Sequence, residues 1–157
     1  MINKIRIGVL MGGASSERKV SLKSGEAVAQ ALRSLGLEVV GIDIQKTDRN
    51  YVTDLLLSYD IGLAFLALHG EFGEDGKIQS ILEAIGLPFT GSRQRASALA
   101  MDKIESRMLF KGAGLYVPRY CILDKSHKKI NENLRRFPLV IKPAAGGSSI
   151  GLSIVDE

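Results

Sequence analysis

The stretch IRIGVLMGGASSER, residues 5–18, decides the fold. Ile5 to Leu10 is a short apolar run that ends at Met11-Gly12-Gly13, the pattern of a buried strand feeding a helix through a glycine turn. The helix is expected from about Val20 to Leu35. There Ala27, Val28, Ala31, Leu32 and Leu35 recur at three- and four-residue spacing and make one apolar face. Gly36 supplies a left-handed stop. Glu38 to Ile44, rich in Val and Ile, is a second strand, and the three pieces form a parallel βαβ unit.

Working outward, Ile61 to Leu68 is almost continuously apolar, as a strand in the buried centre of a parallel sheet should be. It ends in His69-Gly70-Glu71-Phe72-Gly73-Glu74-Asp75-Gly76, whose three glycines and three carboxylates predict a loop at a strand's carboxyl end. Lys77 to Ile85 is a helix closed by Gly86, and Leu87 to Thr90 a short strand, placed near an edge by Pro88. Residues 1–94 therefore read as an open α/β sheet flanked by helices. From there the pattern changes: one helix over Ser92 to Lys111, a strand over Tyr116 to Leu123, a polar helix over Ser126 to Arg136, then Phe137 to Lys142 and Gly151 to Val155 as a strand-loop-strand hairpin. A second domain is expected over 95–157. So few elements cannot close a core, and the expectation is that this domain is incomplete.

At 157 residues, with 45% hydrophobic and 24% charged residues, the composition is that of a soluble globular protein. The net charge of +4 comes from scattered Lys and Arg, which suits an acidic small molecule and not a nucleic acid. The short clusters Lys128-Lys129 and Arg135-Arg136 read as solvated helix surface. Cys121 is the sole cysteine, so an intrachain disulfide is impossible and a reducing cytoplasm is expected. Its apolar neighbours predict a buried position. The N-terminal apolar run is too short for a signal segment or a membrane span.

The first loop, Met11 to Arg18, lies where open α/β sheets bind ligands, and it is neither G-x-G-x-x-G nor a Walker sequence. Its Glu17 can hold an ammonium group or simply complement the helix dipole. His69 is placed beside this loop if the strand order is the usual one, as a catalytic group or a structural hydrogen-bonder. Glu71, Glu74 and Asp75 are either metal ligands or solvated carboxylates, and His127 reads as a surface residue. Lys142 leaves an apolar strand ahead of Gly146-Gly147-Ser148-Ser149, which is a phosphate cradle or a snorkelling lysine beside a turn. Lys103 alone is one more helix lysine.

Four segments in series, MGGASSERKVSLKSG, FLALHGEFGEDGKIQSILEAIGLPFTGS, ASALAMDKIESRMLFKGAGL and FPLVIKPAAGGSSIG, resemble the D-alanine-D-alanine ligases of the ATP-grasp superfamily. The resemblance covers nearly the whole chain. It implies a Rossmann-like (pre-ATP-grasp) sheet over 1–94 and the beginning of an ATP-grasp domain over 95–157. It also implies a cytoplasmic enzyme that phosphorylates one D-alanine with ATP and Mg²⁺ and joins a second, for peptidoglycan. Glu17 and Ser148 are implied as catalytic residues. Glu17, His69 and Ser148 would bind substrate, with Ser148 hydrogen-bonded to Glu17 and a distant tyrosine. Lys103, Lys142, Gly147 and Ser149 would bind ATP, and a homodimer would form through the first domain.

Lys19 and Ala144-Ala145-Gly146 depart from the family's pattern, which has Glu at the first and a more polar stretch at the second. Family members are about twice as long. Their metal-binding carboxylates and Asn, ω-loop tyrosine and second-substrate Arg are expected beyond Glu157, so this chain is expected to be a front half, inactive alone. Two other readings remain open: a non-catalytic nucleotide or amino-acid binding module, and the front half of a D-alanine-D-lactate type ligase.

Overall fold

The structure is a computed structural model that describes residues 5–126, 130, 134 and 136–156. It divides into two compact units, residues 1–101 and 102–157.

In the first unit the strands β1 (Ile7–Gly12), β2 (Val39–Ile44) and β3 (Leu63–Leu66) form a parallel sheet in the order β2-β1-β3. The centre is β1, buried along its whole length. The expectation of β3 as the centre is thus corrected: on its far side it meets only residues 88–90, through a parallel bridge between Ala64 and Phe89. Pro88 accepts from Ala64 N–H and Thr90 N–H donates to Ala64 O, so the expected short strand is reduced to one bridge at the edge.

Alternation along β1 distributes the core over both faces of the sheet. Val9 and Met11 pack with Ala29 and Val28 of α1 (Arg18–Ser34). Leu10 packs with Ile42, Ile44 and Ala64 against α2 (Arg49–Leu57) and α3 (Lys77–Ala84), through Val52, Leu56, Ile78 and Leu82. The helix α2 lies in a segment to which the sequence reading assigned no element. Asp48 caps it by accepting from Tyr51 N–H at 2.9 Å.

The buried stripe of α1 also differs from expectation. It is Ser21, Gly25 and Ala29, flanked by the half-buried Leu22, Val28 and Leu32, whereas Ala27, Ala31 and Leu35 are exposed. Small residues are needed here because the helix lies close on β1: a Cβ at Gly25 would come 2.5 Å from Met11 Cβ. The hydroxyl of Ser21 ties the layers together, accepting from Gly12 N–H at 2.9 Å and donating to Ala67 O at 2.7 Å. Helix α4 (Gln94–Met101) completes the first unit.

The second unit opens with α5 (Lys103–Gly112) and contains the antiparallel pair β4 (Leu139–Ile141) and β5 (Ser153–Val155). The single helix expected over Ser92 to Lys111 is two, because Asp102 leaves the helical conformation and its carboxylate caps α5 at Ile104 and Glu105 N–H. Residues 116–123 form no strand. Cys121 there is exposed, not buried, since no sheet covers it. The expected polar helix over 126–136, with His127 and most of the two basic clusters, falls largely outside the described residues. No described residue of the second unit is buried, and Val140, Ile141, Ile150 and Ile154 all stand exposed.

Candidate functional site

The carboxyl ends of β1 and β3 lie side by side and bring together the first loop and the loop that begins at His69. Glu17 occupies the N-cap position of α1 but makes no side-chain cap. Its carboxylate instead lies against Gly70: a Cβ on Gly70 would run into Glu17 Oε2. Gly70 has φ +67°, so both its backbone conformation and this close approach require a residue without a side chain. Ser15 couples the two loops. Its hydroxyl donates to His69 O at 2.9 Å and accepts from Glu17 N–H at 3.2 Å.

The His69 ring is bracketed on both nitrogens. Nε2 is 2.9 Å from Ser24 Oγ on α1, and Nδ1 is 3.7 Å from Glu74 Oε1. The other oxygen of Glu74 accepts from Gly70 N–H at 3.0 Å. On the opposite side of the first loop, Arg18 grips Asp43 at the end of β2 with two 2.8 Å hydrogen bonds and reaches Gly13 O and Ile44 O at 3.3 Å. The hydrogen bond to Asp43 holds the guanidinium above its ordinary pKa, against the opposing effect of burial. At Gly12, φ +89°, a side chain would collide with this pair.

The rest of the loop is closed on itself. Phe72 is buried in the core at φ +72°, and Lys77 reaches Glu71 at 2.9 Å and Asp75 at 3.0 Å. Burial opposes the charge on Asp75, but N–H donation from Phe72 and Lys77, together with the Lys77 ammonium, still holds its carboxyl below the usual range. Among the described residues no group of three or more His, Cys, Asp or Glu is arranged to hold a metal ion.

In the second unit Lys103 sits in the first turn of α5. Its backbone N–H donates to Ala144 O at 2.9 Å and its ammonium to Gly146 O at 2.7 Å, so the lysine braces the Gly/Ser loop. Gly146, Ser148 and Ser149 all have positive φ (105°, 49° and 59°). Gly147 is half-buried, and Lys142 is exposed just after β4. The Lys103 ammonium thus lies on a loop in which three of four successive residues from Gly146 to Ser149 are left-handed.

The family model described as "D-ala D-ala ligase N-terminus" matches residues 6–58 and 53–92, more than half of the chain. The chain belongs to the D-alanine–D-alanine ligase family. It is 48% identical over 153 residues to the D-alanine–D-alanine ligase of Geotalea uraniireducens, an alignment that takes in 97% of this chain and 48% of that relative. Among solved structures it is similar to the D-alanine–D-alanine ligase from Bacillus anthracis, at a TM-score of 0.83 and 38% identity, covering 98% of this chain and 50% of the other. The same enzyme complexed with ATP gives 0.80 and 36%, again with 98% and 50% covered. The chain spans about half the length of the curated relatives it matches, and that half is the N-terminal one.

Ser15, Ser24 and Asp43 were not singled out from the ligase-like sequence. Ser21 and Ser24 did carry a signal: a hydroxyl pair one turn apart, directly before Gly25, on a helix whose close approach to the sheet demands small residues.

Proposed function

We propose that this chain is the front half of an ATP-dependent D-alanine–D-alanine ligase, in which the first unit binds the first D-alanine and the second unit binds ATP. The observation that carries the reading is the Glu17 carboxylate lying on Gly70 beside His69, at the strand ends where open parallel sheets take ligands. A carboxylate there pairs with the ammonium group of an amino acid, a charge-assisted hydrogen bond worth about 1.5–3 kcal/mol.

In the second unit, Lys103 and Lys142 offset the charge of the phosphates, and Gly147 and Ser149 offer polar groups to the same anion, while Ser148 serves the substrate. ATP supplies the phosphoryl group that activates the D-alanine carboxylate, and the amine of a second D-alanine displaces it to form the dipeptide for peptidoglycan. Mg²⁺ belongs to residues other than those described. The remaining extensions of this reading are a cytoplasmic enzyme and a homodimer joined through the first unit.

The test is D-alanine-dependent phosphate release from ATP. The chain alone should release none above a Lys142→Ala control. Release should appear when the C-terminal half of a curated relative is supplied, and Lys142→Ala should then suppress it. Release by the chain alone that Lys142→Ala abolishes would contradict the half-enzyme reading.

A further inference from the structure

The Ser24 hydroxyl has a single proton and three neighbours: Val20 O at 2.9 Å, Ser21 O at 3.2 Å and His69 Nε2 at 2.9 Å. A carbonyl oxygen only accepts. If the proton pointed at His69, the Ser24 and Val20 oxygens would face each other lone pair to lone pair at hydrogen-bond distance. Both short contacts are attractive in one arrangement only, with Ser24 donating back to its own helix and accepting from His69 Nε2–H. Glu74, anchored by Gly70 N–H, stands at the Nδ1 edge of the ring.

We propose that Ser24 is a positioning residue that fixes His69 as an Nε2–H donor and sets the plane of its ring. While Ser15 holds the His69 backbone in register with Glu17, Ser24 holds the imidazole. The arrangement looks like a Ser-His-Glu hydrolase set, but the proton assignment argues against that use: Nε2 carries hydrogen and has no lone pair with which to activate the hydroxyl. The consequence for function rests on the reading of His69 as part of the D-alanine subsite. A ring held between Ser24 at Nε2 and Glu74 at the Nδ1 edge presents its face, in one orientation, beside the Gly70 peptide on which Glu17 lies.

The test is long-range ¹H–¹⁵N NMR of the imidazoles in the 157-residue protein in alkaline buffer. The sequence holds only two histidines, so His127→Gln assigns the spectrum. The wild type should show His69 as a single species with hydrogen on Nε2. Ser24→Ala, a change that favours helix, should give a mixture of tautomers. Ser24→Thr should restore the single species, because a threonine hydroxyl makes the same bond back to the helix. D-alanine affinity should fall about two- to tenfold in Ser24→Ala, the loss of one hydrogen bond's worth of positioning, and recover in Ser24→Thr. An unchanged Nε2–H signal in Ser24→Ala would overturn the proposal. Loss of the tautomer in Ser24→Ala with no D-alanine binding even to the wild type would sustain the clamp and refute the D-alanine reading instead.

Discussion

Replacing Ser21 by alanine removes one oxygen atom and strands two backbone groups. Ser21 is fully buried, and its hydroxyl serves Gly12 N–H at 2.9 Å and Ala67 O at 2.7 Å. A buried polar group left without a partner costs about 1–3 kcal/mol, so the two together cost about 2–6 kcal/mol. Alanine returns roughly 0.5 kcal/mol through its higher helix propensity. The expected net loss is about 1.5–5.5 kcal/mol, a large part of the ~5–15 kcal/mol that holds a domain together. Urea denaturation followed by far-UV circular dichroism measures it as a drop in midpoint at constant slope. Ser34→Ala is the control on the same helix: its exposed hydroxyl only donates to Ala31 O, and the change should stay within about 0.5 kcal/mol. A Ser21→Ala midpoint as close to wild type as the control would refute the claim that this hydroxyl binds α1 to the sheet.

Gly70→Ala should abolish D-alanine binding while lowering stability by only about 1–2 kcal/mol, the ordinary cost of a left-handed residue with a side chain. The new methyl group displaces Glu17, and calorimetric titration beside a thermal melt separates the two effects. Asp75 is held below its usual 3.8, so its stabilising contribution is full above that value and is lost as pH falls through the lower folded value. Asp75→Asn should therefore lower the urea midpoint at neutral pH and flatten its decline below about pH 4. A decline as steep as the wild type's would show that other carboxylates govern acid unfolding.

Much of the first unit was legible because its strands are short apolar runs punctuated by glycine, a signal that needs no knowledge of neighbours. The extended loop from His69 to Gly76 was legible for the same reason, since nothing else accommodates three glycines among three carboxylates. What escaped depends on distance in space. The apolar spacing of Ala27, Ala31 and Leu35 suggested a buried face, but α1 lies so close to β1 that the buried stripe is the smaller set Ser21, Gly25 and Ala29. Tyr116 to Leu123 has the composition of a strand, yet a strand exists only where a neighbour accepts its hydrogen bonds, and here no ladder forms. Asp102 was hidden inside an apparently continuous helix because capping depends on which way one carboxylate turns. At the site, Glu17 and His69 were named from their places at strand ends. Ser15 and Ser24, which fix how the two face each other, are ordinary serines until the sheet order puts β1 beside β3.

The most direct test of the central claim is a D-alanine titration of the ¹⁵N-labelled chain, following the amides of Gly13, Glu17 and Gly70. Saturable shifts at these three amides are predicted with D-alanine, weaker or absent shifts with L-alanine, and none in Glu17→Gln. Identical responses to the two enantiomers, or shifts that survive Glu17→Gln, would contradict a D-alanine subsite at the junction of β1 and β3.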